Sequence, residues 1–157
     1  MNDNDMAEYK NLQLDKQLCF ALYAATHAIT RAYRSRLGKV GLTYPQYLVM
    51  LVLWETDGLP VNHLADKLYL DSGTLTPLLK RLEKIGFIAR QRDSDDERVV
   101  NVRLTQVGSN LKHEVATMQQ SVACQTGLSS TEFVELRAAL HRLTETIREN
   151  QQQAMMA

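Results

Sequence analysis

The chain has 157 residues, of which 45% are hydrophobic, and its 18 basic and 18 acidic side chains leave a formal net charge of zero. That is enough apolar material for one domain with a packed core, and it excludes a chain whose overall field draws it to nucleic acid, so any such role must rest on local clusters. The longest apolar run, YLVMLVLW at 47–54, falls far short of the roughly 20 residues that cross a bilayer, and the acidic opening MNDNDMAEYK lacks the basic flank of a secretory signal, so a cytoplasmic location with no membrane partner is expected.

In chain order, Leu18, Leu22, Ala25, Ile29, Ala32 or Tyr33, and Leu37 recur at helical spacing. A helix over 16–37 is expected, with Asp15 able to cap its start and Gly38 and Gly41 ending it. Thr43 precedes TYPQYLVMLVLWE, where Pro45 in the first turn costs little, so a second helix runs to about Glu55. It is apolar nearly all round, as befits a helix in the middle of a domain. After DGLP, VNHLADKL (61–68) forms a short helix. A second follows the break at YLD, capped by Asp71 or Ser72 and ended by Gly86. Pro77 lies inside it and should bend its first turns.

Residues 87–104 change character: FIARQR and RVVNVRL are rich in β formers and flank the polar DSDDE, which reads as a two-stranded hairpin with a charged tip. Thr105 opens another helix, stopped by Gly127. The capping box SSTE (129–132) starts a last helix, with Phe133, Leu136, Leu140, Leu143 and Ile147 on one stripe, running to about Gln151 before a frayed QQQAMMA tail.

A helix-turn-helix followed by a hairpin is a winged helix, with the second helix of the pair entering the major groove and the hairpin reaching across the backbone. The expected fold is mainly α with a small β hairpin. The winged helix-turn-helix spans 43–104, flanked by dimerisation helices at 15–42 and 105–152, all in a single domain of 1–157. In that setting Ser72, Gly73, Thr74 and Thr76 at the helix start have base edges within reach, and Lys80, Arg81, Arg90, Arg92 and Arg98 have phosphates to meet. Between Lys80 and Arg103 seven basic residues face five acidic ones, an excess that without the fold would be a solvated surface. Long end helices with apolar stripes suggest a homodimer, and hence a pseudo-palindromic double-stranded operator.

The order of elements, VNHLADKLYLDSGTLTPLLKRLEKIGFIAR and the wing RQRDSDDERVVNVRLTQVG closely resemble the MarR family of bacterial transcription regulators over nearly the whole chain. Asp96 and Arg98 match that family's Asp-x-Arg element, which implies an arginine entering the minor groove and an aspartate positioning it. LDKQLCFALYAA, LTYPQY and LDSGTLTPLLKRLE look like the family's organic hydroperoxide resistance regulator branch. The resemblance implies a peroxide-sensing cysteine at Cys19, thiolate-stabilising tyrosines at Tyr33 and Tyr44 of the partner subunit with Tyr23 as a third, and a resolving thiol at Cys124. On that pattern organic hydroperoxide is the inducer: Cys19 is oxidised to a sulfenic acid, forms an intersubunit disulfide with Cys124, and the repressor releases its operator.

The chemistry is compatible, since only a thiolate attacks a peroxide and both phenol donors and a helix start favour the anion. Two inert buried thiols remain the other reading of the cysteines. A repressor released by a small aromatic ligand is the alternative within the class, and a thiol peroxidase the alternative outside it. The wing argues against an enzyme. No cofactor or metal is expected: His27, His63, His113 and His141 are scattered without the paired spacing of a zinc site, and phosphate-binding glycine loops are absent.

Overall fold

A computed structural model of the chain describes residues 12–156; the acidic opening segment lies outside the described residues. The described part is mainly helical with a small antiparallel sheet, and it divides into two compact units, up to Gln119 and from Gln120 onward.

In the first unit, α1 (Leu18–Leu37) follows a single 3-10 turn at Leu14–Lys16. Asp15 lies in that turn and is not the cap. The N-cap of α1 is Gln17, which gives no side-chain hydrogen bond to the helix start. A second 3-10 turn, Gly38–Val40, ends at Gly41, whose φ of +76° is the left-handed conformation that glycine adopts without a Cβ penalty. That turn brings Leu42 back to donate its N–H to Leu37 O (3.0 Å), and both leucines are buried.

α2 (Tyr44–Glu55) starts where expected, with Thr43 N–H donating to Gln46 Oε1 at 2.9 Å. Its apolar girth is used on several sides: Tyr47, Val49, Met50 and Leu53 are all buried, so this helix is the centre of the unit. α3 (Val61–Leu68) contributes Leu64 and Ala65 to the same core, and α4 (Ser72–Lys84) contributes Leu75, Leu79 and Leu82. Between them Tyr69 takes a left-handed φ of 55° and makes the tight turn. α4 continues unbroken through Pro77, which is exposed.

The sheet is larger than the expected hairpin. β2 (Ile88–Arg92) and β3 (Val100–Leu104) pair antiparallel with Ala89 opposite Arg103 and Gln91 opposite Asn101, and β1 (Leu59–Pro60) adds to the other edge of β3 in the order β1-β3-β2. Two residues are too few to show an alternation, and Pro60 demotes the run in a sequence reading, although proline is tolerated on an edge strand. Asp57 secures the corner by accepting the N–H of Leu104 at 2.8 Å.

α5 (Gln106–Gln125) begins after Thr105, whose hydroxyl accepts from Gly108 N–H (3.1 Å) and donates to Gly86 O (2.6 Å). In the second unit α6 (Ser130–Met156) is started by Ser129 and Glu132, whose carboxylate accepts the Ser129 N–H (2.8 Å) and hydroxyl (2.6 Å). It runs to Met156, beyond the expected end near Gln151, because QQQAM contains no helix breaker. No residue of α6 is buried, and Phe133, Val134, Leu136, Leu140 and Ile147 remain between 37% and 52% exposed. Among the described residues no helix is long and apolar enough to cross a membrane.

Candidate functional site

The sequence-predicted residues fall into two sets. The first is the face formed by α4 and the β2–β3 wing. Leu75, Leu79 and Leu82 turn inward, which leaves Ser72, Thr76 and Lys80 at i, i+4 and i+8 along the outer side of α4. Asp71 caps the helix, its carboxylate accepting both the N–H (2.8 Å) and the hydroxyl (2.9 Å) of Thr74. Those bonds hold Asp71 below the usual carboxylate range. Thr76 spends its hydroxyl proton on Ser72 O (2.7 Å), so Thr74 and Thr76 present oxygen acceptors outward. Gly73 keeps the first turn slim, with only the Asp71 carboxylate close to where a Cβ would stand. Lys80 and Arg81 are exposed.

The wing tip is ordered by its own acids. Asp93 accepts the N–H groups of Asp95 (3.0 Å) and Asp96 (3.3 Å) and the Asn101 amide (2.7 Å). Arg92 donates to Glu97 O across the tip (2.9 Å). Asp96 grips Arg98 in a fork, with Oδ1 taking Nε and Oδ2 taking Nη2, each at 3.0 Å, while the Arg98 N–H also donates to Oδ1 at 3.0 Å. The guanidinium holds the Asp96 carboxyl low, and yet the Arg98 side chain is 91% exposed. It is aimed but unburied, which suits an external anion. Between α3, α4 and the wing lies a cleft of about 480 Å³ bordered by Asn62, Ser72, Thr76, Arg90 and Arg98. Arg90, grouped with these residues from the sequence, is half-buried and held by Glu83.

The second place concerns the thiols. Cys19 is the second residue of α1 and is exposed. The first N–H of this helix to find a partner is that of Ala21, on Gln17 O (3.1 Å). The N–H groups of Leu18, Cys19 and Phe20 are therefore without an intrahelical acceptor, and this helix end favours negative charge. Tyr23 follows one turn later, exposed, its ring 4.3 Å from that of His27.

Tyr33 and Tyr44 come together, their ring centroids 5.3 Å apart. The sequence reading missed the third member, Tyr47, which is buried with its ring 5.5 Å from Tyr33 and 6.0 Å from Tyr44. Its signal was the second tyrosine of YPQY, one helical turn after Tyr44. Burial raises all three phenols above the ordinary value of 10.0, partly offset at Tyr33 by the Tyr47 hydroxyl, so they stay protonated at neutral pH and able to donate.

Cys19 and Tyr33 lie 14 positions apart on one helix, which at 1.5 Å per residue is roughly 21 Å. The phenol cluster of one chain is thus beyond the reach of its own Cys19. Cys124, near the end of α5 in the second unit, is exposed, and neither cysteine is in a disulfide. Among the described residues no group of three or more His, Cys, Asp or Glu side chains could hold a metal ion.

A family model described as "Transcriptional regulator SarA/Rot" matches residues 31–115. The HTH-type transcriptional regulator TtmR of Methylorubrum extorquens is 56% identical over 130 residues, which is 83% of this chain but 65% of that relative's length. The organic hydroperoxide resistance transcriptional regulator of Bacillus subtilis is 41% identical over 140 residues, covering 89% of this chain and 95% of the relative. Among solved structures, reduced AbfR bound to DNA, a protein of Staphylococcus epidermidis, superposes with a TM-score of 0.75 at 32% identity, over 90% of this chain and 97% of its own.

Proposed function

The chain belongs to the winged-helix transcriptional regulators of the SarA/Rot and MarR type, and from that premise we propose that it is a dimeric repressor that releases operator DNA when an organic hydroperoxide oxidises Cys19. The observation that carries this reading is the separation of parts along α1. A thiol sits at an uncapped helix start, and a cluster of protonated phenols lies roughly 21 Å further along the same helix. Tyr33 and Tyr44 can serve Cys19 only from a second copy of the chain. The exposed apolar residues of α1 (Leu18, Phe20, Ile29) in the first unit, and separately those of α6 (Phe133, Leu136, Leu140, Ile147) in the second, are surfaces that a second copy can cover. The similarity to the B. subtilis regulator supports the same branch.

In this mechanism the Cys19 thiolate attacks the terminal oxygen of R–O–OH. An S–O bond forms, the O–O bond breaks, and the alkoxide leaves and takes a proton to become the alcohol. The cysteine is then a sulfenic acid. Its condensation with the Cys124 thiol of the second copy forms a disulfide and releases water. A change in the dimer that separates the two α4 helices from their half-sites lowers operator affinity by the difference in stability between the reduced and oxidised DNA complexes. The leucines and Phe20 around Cys19 favour an alkyl or aryl hydroperoxide over hydrogen peroxide. In the DNA complex α4 lies in the major groove, while Arg98, oriented by Asp96, enters the neighbouring minor groove.

The test is to treat reduced protein with one equivalent of cumene hydroperoxide and locate the product by mass spectrometry. Wild type should yield a Cys19–Cys124 disulfide between chains, seen as a dimer band on a non-reducing gel. Cys124→Ser should stop at a Cys19 sulfenic acid trapped by dimedone. An intrachain disulfide, or oxidation confined to Cys124, would contradict the proposal.

A further inference from the structure

Arg90 reads from the sequence as one more cation for the phosphate backbone, but its guanidinium is already engaged. Glu83, in the last turn of α4, takes Nε at 3.0 Å and Nη2 at 2.6 Å on Oε2, and the backbone N–H of Arg90 at 3.2 Å on Oε1. Three donors from one residue therefore converge on one carboxylate. The two side chains are 28% and 36% exposed, partly shielded from the water that weakens surface pairs. Arg90 is the middle residue of β2, opposite Val102, which is fully buried. Beyond it the strand continues through Gln91 and Arg92 to the tip that carries Asp96 and Arg98. The contact joins the end of the recognition helix to the wing at the point where the wing leaves the core, and Arg90 and Arg98 border the same cleft as Ser72 and Thr76.

We infer that Glu83 and Arg90 are positioning residues that set the distance between α4 and the wing tip, and thereby select operators whose major and minor grooves present their contacts at that distance. This rests on the DNA-binding reading of α4 and the wing. It differs from a phosphate-contact role for Arg90 in the sign of one effect. Glu83 is an acid beside a DNA-facing surface, so removing its charge should tighten all DNA binding if electrostatics alone acts. Removing a positioning clamp should weaken operator binding and spare binding to random sequence.

The experiment selects an operator duplex from a random pool with wild-type protein. Affinities for it and for a random duplex of equal length are then measured with wild type, Glu83→Gln, Glu83→Asp, Arg90→Gln and the Arg90→Gln/Glu83→Gln double variant. The ratio of operator to random affinity should fall at least about tenfold in Glu83→Gln, on the scale of one lost base-pair contact. Glu83→Asp, which keeps the charge but is one methylene too short to hold both the guanidinium and the backbone N–H of Arg90, should fall in the same direction and serves if Glu83→Gln does not fold. The double variant should be no worse than Arg90→Gln, because the two residues act as one unit. Tighter binding of Glu83→Gln to both duplexes with an unchanged ratio, or an additive double variant, would overturn the inference alone. If wild type selects no sequence from the pool, the DNA-binding reading itself fails and the inference falls with it.

Discussion

On the proposed reading, the reactivity of Cys19 rests on the open end of α1 and on donors from a second chain. The Tyr33 and Tyr44 phenols are protonated at neutral pH, burial raising them further above 10.0, and a protonated phenol stabilises a thiolate by hydrogen bonding to it. Tyr44→Phe retains the ring contact with Tyr33 and removes one donor. Peroxide oxidation of Cys19 at neutral pH should then slow, while the reduced protein binds DNA as before. An unchanged oxidation rate would show that Tyr44 only packs. The residue patterns led to Cys19 and Tyr44 because they sit in the recognisable stretches LDKQLCFALY and LTYPQY, while Tyr33 was matched by its spacing and local context. Tyr47 and Glu83 were not legible. A tyrosine on an all-apolar helix reads as core, and a glutamate in the last turn of α4 reads as solvated until β2 folds against it.

At the scale of elements, the start of α4 depends on one carboxylate. Asp71 is held below its ordinary value of 3.8 by the backbone and hydroxyl of Thr74, so its cap contributes fully above that value and is lost as pH falls through the depressed one. Replacing Asp71 with Asn keeps an N-cap acceptor that does not titrate and should remove this part of the acid dependence of thermal stability. Asp71→Ala should lower the melting temperature at neutral pH, because it removes the N-cap acceptor. Calorimetry between pH 2 and 7 checks both, and an Asp71→Asn profile identical to wild type would contradict the assignment.

The helices themselves were legible because caps and breakers mark them: Thr43 with Pro45, Asp71, Gly86 and the Ser129–Glu132 box all stand at or beside observed boundaries. The failures share a physical cause. β1 is a two-residue strand with a proline, created by pairing with β3 rather than by its own pattern. The Asp15 cap competed with a 3-10 turn that shifts the helix start to Leu18. The close approach of the Phe87 carbonyl to Gly108, which leaves no room for a Cβ, is likewise revealed only by the tertiary fold.

For the whole molecule, the apolar faces of α1 and α6 explain why a chain with a complete core in its first unit still exposes large hydrophobic side chains. On the proposed reading those faces are the dimer surface. A Leu136→Glu/Leu140→Glu variant should sediment as a monomer while retaining the helical content of wild type, and its affinity for a two-half-site duplex should fall steeply. A variant that stays dimeric would move the interface elsewhere. On the proposed reading, nucleic-acid binding and thiol chemistry lie in different parts of the chain, and a change in the dimer carries the signal from Cys19 to α4.

Fluorescence anisotropy of a labelled operator duplex, recorded with reduced protein before and after cumene hydroperoxide and again after dithiothreitol, follows that whole chain of events. Wild type should release the duplex on oxidation and rebind it on reduction, and Cys19→Ser should bind throughout. Release from Cys19→Ser, or an oxidised wild type that keeps its grip on the operator, would contradict the proposed function.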